Sequence, residues 1–143
     1  MEKQNIVVLS GAGISAESGI QTFRGGNGMW DNYNVEEVAS IDGWHRNRAL
    51  VLEFYNKRRK ELENAQPNYA HKAVALLEEK YNVTVVTQNI DDLHERGGST
   101  KIIHLHGEAT KARSEFSDYG PTYEIGYKEL NLGDLAPDGG QLR

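Results

Sequence analysis

This sequence predicts an α/β protein built on a parallel sheet, and two observations carry the prediction. Asn5–Ser10 (NIVVLS) is a short aliphatic run without alternation, as expected of a strand buried on both faces of a parallel sheet, 83–87 (VTVVT) reads as a second buried strand and 102–106 (IIHLH) as a third strand. Stretches rich in helix formers separate them, and strand, helices, strand, helix, strand is the order of βαβ units with right-handed crossovers. With 143 residues, 38% hydrophobic and 26% charged, the chain has the size and composition to bury a core.

Taken in order, the first strand stops at GAGISAESG (11–19), where small residues let the backbone turn sharply into a helix start. Residues 19–34 are rich in glycine and aromatics and lack periodicity, which predicts a long loop of the kind that tends to be functional. Residues 46–64, RNRALVLEFYNKRRKELEN, predict a helix approached through Asp42 or Gly43. Pro67 breaks it, and Asn68 caps a second helix with Ala70, Ala73, Leu76 and Leu77 at helical spacing. The second strand ends in QNIDD, a short helix over 93–96 closes on Gly97-Gly98, and the third strand ends at Gly107. Beyond Gly107 the pattern weakens, with strand candidates around 122–127, no clear helix and no internal repeat.

Composition excludes several function classes. No apolar run approaches the ~18 to 20 residues of a membrane helix, and the polar start MEKQN does not read as a signal peptide. Sixteen basic against 21 acidic residues give no global field for nucleic acid. Zero cysteines leave no disulfide, thiolate metal ligand or cysteine nucleophile, and fit a reducing cytoplasm.

Gly11-Ala12-Gly13-Ile14-Ser15-Ala16 fits G-x-G-x-x-A after a strand and before a helix, the context of a dinucleotide fingerprint. A tight strand-to-helix turn without a ligand has the same pattern. Asp31 lies at the usual offset of a ribose-binding acid, but no second strand precedes it, which weakens a hydride-transfer reading. Gln88-Asn89-Ile90-Asp91 follows a strand end, where open α/β sheets bind ligands. Its amides suit ribose hydroxyls or a carboxamide, and Asp91 equally suits a helix cap. His104 and His106, two apart on a predicted strand, share a face, and His106 before Gly107 has the character of a general base. A zinc site would need further ligands in register, and none is legible. Tyr55 and Arg58 share a helix face and together could receive a carboxylate, although Lys57 to Lys60 also reads as an ordinary solvated basic surface.

The segments GAGISAESGIQTFRGGNGMW (11–30), TQNIDDLH (87–94) and HLHG (104–107), in that order, resemble the sirtuin family of NAD-dependent protein-lysine deacylases. FYNKRRKEL with QPNYAH further resembles the bacterial subgroup close to mitochondrial desuccinylases, in which a Tyr-x-x-Arg pair reads acidic acyl groups. The resemblance implies a Rossmann-like sheet and NAD as cofactor. Gly11, Ala12 and Gly13 would hold its phosphates, and Phe23, Arg24 and Trp30 would belong to a mobile cofactor loop. Gln88 would approach the ribose, and Asn89 and Asp91 the nicotinamide; Ser15, Thr22 and Ile90 would complete the cofactor set. His106 would be the catalytic base, and Tyr55 with Arg58 would bind a succinyl or malonyl group. The implied reaction transfers the acyl group of an acylated lysine to ADP-ribose, releasing nicotinamide and O-acyl-ADP-ribose, with acetyl-lysine as a further substrate.

Many sirtuins carry a four-cysteine zinc site after the HG motif; with no cysteine, and Ser114 near the usual first ligand, no zinc is expected. The expected division is a Rossmann-like part over 1–107, with a helical insertion at about 35–80, and a small-domain segment over 108–143. The later part of the Rossmann domain is absent, which suggests the front part of a sirtuin. Two other functions fit such a piece: an NAD or ADP-ribose binding module without turnover, and an NAD hydrolase.

Overall fold

The computed structural model describes residues 2–22 and 33–143. Its elements are β1 Asn5–Ser10, α1 Gly13–Ala16, α2 Val35–Val38, α3 Ile41–Arg46, α4 Arg48–Asn64, α5 Tyr69–Leu76, β2 Asn82–Thr87, α6 Leu93–Gly97, β3 Ile102–His104, β4 Lys111–Arg113 and β5 Thr122–Glu124. The chain folds as two compact units, Met1–Thr22 with Asn64–Glu108, and Phe23–Glu63 with Ala109–Arg143.

The first unit carries a parallel sheet in the order β1-β2-β3. Ser10 aligns with Thr87 and Thr87 with His104, so the three strands end side by side. The expectation that β1 is buried on both faces does not hold. Val83, Val85 and Thr87 of β2 are buried, with Ile6, Val8 and Ser10 beside them on the same face, whereas on the other face Val7 and Leu9 are 68% and 69% exposed. Among the described residues only one side of β1 is covered, and the strand alternates accordingly. The third strand is also shorter than 102–106. Leu105 still donates its N–H to Thr87 O (2.9 Å), but Gly107 N then turns back to His104 O (3.4 Å). Leu105 and His106 therefore lie in a turn, and His104 and His106 do not share a strand face.

Helix ends in this unit follow local chemistry. Asn68 caps α5 through Ala70 N (2.9 Å), and the His71 ring accepts the Asn68 N–H (3.1 Å), closing a capping box. Leu93 N, at the start of α6, bonds Asp91 Oδ1 (3.1 Å), and Gly98, at φ 111°, ends that helix in the left-handed conformation that favours glycine.

In the second unit, Trp44, Val51 and Leu52 from α3 and α4 form one core with Ala112, Ile125 and Leu130 from the later segment. The helices up to Glu63 thus pack with 109–143, because the apolar residues that complete their core come from the later segment. The single predicted helix start resolves into α3 and α4, separated at Asn47, whose side chain accepts Leu50 N–H (3.1 Å). Gly43 is required where α3 meets α2, because a Cβ there would lie 2.3 Å from Glu37 O. Antiparallel β4 and β5 form a second sheet.

Candidate active site

The carboxyl ends of the three parallel strands gather most of the residues singled out by sequence. Asn89 donates from Nδ2 to Gly11 O (3.0 Å) and to Ser15 Oγ (3.3 Å), and Ser15 Oγ donates to Asp91 Oδ2 (2.8 Å). The GAG turn after β1 and the QNID segment after β2 are thereby fastened together. Gln88 is exposed beside Gly11, its Oε1 3.7 Å from where a Cβ of residue 11 would stand. Ser15, Asn89 and Asp91 are buried, so their side chains shape this junction from within, while Ala12, Gly13 and Gln88 face outward. Asp91 accepts from Ser15 and also caps α6, so the two roles weighed for it coexist. Thr22 and Ile90 are half-buried in the same unit. Phe23, Arg24, Trp30 and Asp31 lie outside the described residues.

Neither Gly11 nor Gly13 has a positive φ. A Cβ on Gly13 would meet nothing within 4 Å among the described residues. Backbone conformation and packing among the described residues therefore do not demand glycine at position 13; Ile14 N and Ser15 N close the turn onto Gly11 O (3.2 Å) and Ala12 O (3.1 Å), and the Gly13 backbone itself is left bare.

Beneath this surface lies a histidine pair that sequence reasoning missed. His71 and His94 are fully buried with their rings edge to face, centroids 5.2 Å apart. Because the Asn68 N–H points at His71 Nδ1, the proton sits on His71 Nε2, which donates to Ser15 Oγ (3.3 Å). His94 Nε2 contacts Ser10 Oγ (2.8 Å), whose own proton goes to Thr87 Oγ1 (2.9 Å). Burial pushes the pKa of both rings down; His94 and Arg96 lower His71 further and His104 lowers His94, with Asp91 opposing at both. Only the capping position of Asn68 pointed toward this pair, since the contacts join distant stretches of chain.

His106 is exposed in the turn after β3. His104 is the opposite case: its side chain is 6% exposed, Nδ1 donates to Asn89 O (2.8 Å), and Nε2 faces Glu95 Oε2 (3.0 Å) and Glu108 Oε1 (3.7 Å). Burial works against its charge, but the hydrogen bonds to Glu95 and Asn89 and the charges of Glu95 and Glu108 outweigh it, holding the pKa above the usual histidine range.

Tyr55 and Arg58 belong to the second unit. Tyr55 is half-buried with its ring against Phe54 (5.1 Å), and burial raises its pKa despite Arg58 and Arg59. Arg58 lies over Phe54 (5.9 Å). The basic run is not a uniform solvated surface. Arg59 is buried, donating to Lys128 O (3.0 Å), Ala109 O (3.3 Å) and Asn56, while Lys57 is exposed and pairs with Glu53 (2.8 Å). In the same unit Ser114 Oγ donates to Asp138 Oδ1 (2.7 Å), which also accepts Gly140 N–H (2.9 Å). A hydroxyl given to a carboxylate, in a chain with no cysteine, does not fit a four-thiolate zinc centre.

The Sir2 family model matches residues 11–134, spanning the GAG turn, the QNID segment and the HG turn. The chain belongs to the Sir2 family. Among its relatives, an "NAD-dependent protein deacylase" of Helicobacter pylori is 56% identical over 140 residues, covering 98% of this chain and 60% of that protein. One of Bacteroides thetaiotaomicron is 54% identical over 144 residues, covering 98% and 62%. A solved Sir2 homolog–NAD complex superposes with a TM-score of 0.83 at 39% identity, covering 99% of this chain and 56% of that one. This Sir2 chain thus spans about three fifths of the length of the curated relatives it matches. Among its described residues no helix is long and apolar enough to cross a membrane.

Proposed function

We propose that the protein to which this chain belongs is an NAD-dependent protein-lysine deacylase, with its cofactor site at the carboxyl ends of β1, β2 and β3. The observation that carries the reading is Gly13, a glycine that neither backbone geometry nor packing among the described residues requires, beside exposed Gln88 and the buried Ser15-Asn89-Asp91 junction. A bare backbone at a helix start suits a pyrophosphate, so these residues fit NAD. Gly11, Ala12 and Gly13 hold the phosphates, Gln88 meets the ribose, and Asn89, Ile90 and Asp91 line the nicotinamide side, with Ser15 and Thr22 supporting. Phe23, Arg24 and Trp30 contribute from the loop. When bound, NAD supplies the nicotinamide leaving group and the ribose that accepts the acyl group. His106, exposed at the strand exit, takes a proton from a ribose hydroxyl as general base. A solved Sir2 relative, 32% identical and holding a deacetylated p53 peptide with 3'-O-acetyl ADP-ribose, supports a peptide-borne acyl-lysine as substrate.

Tyr55 and Arg58 give the acyl preference: a succinyl or malonyl carboxylate in an apolar tunnel needs a cation and a hydrogen-bond donor. Losing one partner of a buried charged pair costs about 2 to 5 kcal/mol. In the chain extended to its relatives' length, incubation with NAD and a succinyl-lysine peptide yields nicotinamide and O-succinyl-ADP-ribose. Tyr55→Phe with Arg58→Met lowers that turnover by roughly 30-fold or more while deacetylation changes little. ADP-ribose alone would indicate a hydrolase, no turnover a binding module, and equal losses with both acyl groups would assign the pair to the helix rather than to the substrate.

A further inference from the structure

Three potential metal donors outside the proposed cofactor set converge in the first unit: Glu95 on α6, His104 at the end of β3, and Glu108 just beyond it. One ligand atom from each lies within 4.8 Å of the others. Donors about 2.0 to 2.2 Å from a common ion stand roughly 3.0 to 3.4 Å apart in tetrahedral or octahedral geometry. The His104–Glu95 separation, 3.0 Å, already meets that, and Glu108, 3.7 Å from His104 and within 4.8 Å of Glu95, needs only a small side-chain movement to join them.

The orientation of the imidazole is the second, independent observation. Asn89 O can only accept, so His104 Nδ1 carries a proton and Nε2 is the nitrogen aimed at both carboxylates. A metal-bound histidine is held in this way, one nitrogen donating to a carbonyl and the other presented to the ion. With a side chain 6% exposed, His104 keeps this aim without ordering cost on binding. The cation between this nitrogen and the two carboxylates is the ring's own proton when no ion is bound, and a divalent ion would replace that proton.

The geometry points to a divalent transition-metal site, of zinc or cobalt type, formed by His104 Nε2, Glu95 and Glu108 and oriented by the Asn89 carbonyl. One imidazole and two carboxylates suit such an ion, and three protein donors leave a further position for water. The ion ties α6 to the chain on either side of His106, and the inference stands apart from the deacylase reading.

The test uses the 143-residue chain itself, stripped with a chelator and titrated with Co²⁺ alone, then Zn²⁺, at neutral pH. The expected result is one equivalent of Co²⁺ with visible ligand-field absorption, displaced by Zn²⁺, with the His104 ring resonances shifting and the melting temperature rising as the ion binds. Glu108→Gln, a change on a partly exposed side chain, weakens Co²⁺ binding by about tenfold or more with the circular dichroism unchanged; His104→Asn abolishes it. Absence of saturable binding, with the His104 ring carrying protons on both nitrogens, would overturn the proposal in favour of a simple ion pair. Undiminished binding by folded Glu108→Gln protein would overturn it as well.

Discussion

His106 and His104 sit two residues apart and differ in every property that decides a role. One is exposed in a turn; the other is nearly enclosed and holds Asn89, Glu95 and Glu108. In the chain extended to its relatives' length, His106→Tyr should cut deacylation by about 10² to 10⁴-fold, the usual contribution of a general base. Its melting temperature should change little, since exposed substitutions stay within about 0.5 kcal/mol. His104→Ala should lower the melting temperature clearly. Steady-state turnover with parallel thermal melts checks both, and near-normal turnover of the His106 variant would refute its assignment. The HG pair was legible in sequence because glycine marks the turn. So was a structural part for His104 beside it; that the two rings leave a common strand face was not, because the pattern through IIHLH is silent on where pairing stops.

At the scale of elements, local signals were legible and long-range ones were not. The three strands, the Asn68 cap and the Gly98 terminus all follow from short-range chemistry. The one-sided burial of β1 depends on what covers the sheet, and the His71–His94 pair depends on bringing α5 against α6 and the strand ends. That pair makes stability depend on pH. Its folded pKa values lie below the unfolded value of about 6.5. As pH falls below that value the unfolded chain takes up protons that the folded rings refuse, so stability declines by at most about 1.4 kcal/mol per pH unit for each histidine. His104, with its raised pKa, has the opposite sign. Its contribution is constant below about 6.5 and is lost as pH rises through its folded value. Urea unfolding between pH 7 and 5.5 should therefore show falling stability, and His71→Gln should flatten the slope. A stability that held level or rose toward pH 5.5 would contradict the neutral, buried assignment.

For the whole molecule, the uncovered sheet face matters most. Val7 and Leu9 on β1 and Ile103 on β3 share it, and β1 pairs only with β2 among the described residues. Exposed apolar strands with an open edge invite association. The 143-residue chain should therefore self-associate at tens of micromolar, and Val7→Lys with Leu9→Lys should make it monomeric with its helix content intact, as sedimentation would reveal. A monomer at all concentrations would show that this face needs no cover. The same 143-residue chain should turn over weakly beside one of its relatives' length, because the segments those relatives add have no counterpart here.

An NAD site at the strand ends is the central claim, and Gly13 tests it most directly. An alanine methyl there meets no described residue, and alanine is favoured over glycine in a helix by up to about 1 kcal/mol, so the fold should be unharmed or slightly stabilised. The same methyl would stand where the pyrophosphate approaches the backbone. In the chain extended to its relatives' length, calorimetric titration with ADP-ribose should give an affinity at least about tenfold weaker for Gly13→Ala, a loss of ~1.4 kcal/mol, at an equal or higher melting temperature. Unchanged affinity in a stably folded Gly13→Ala protein would contradict the assignment of the GAG turn to the cofactor phosphates.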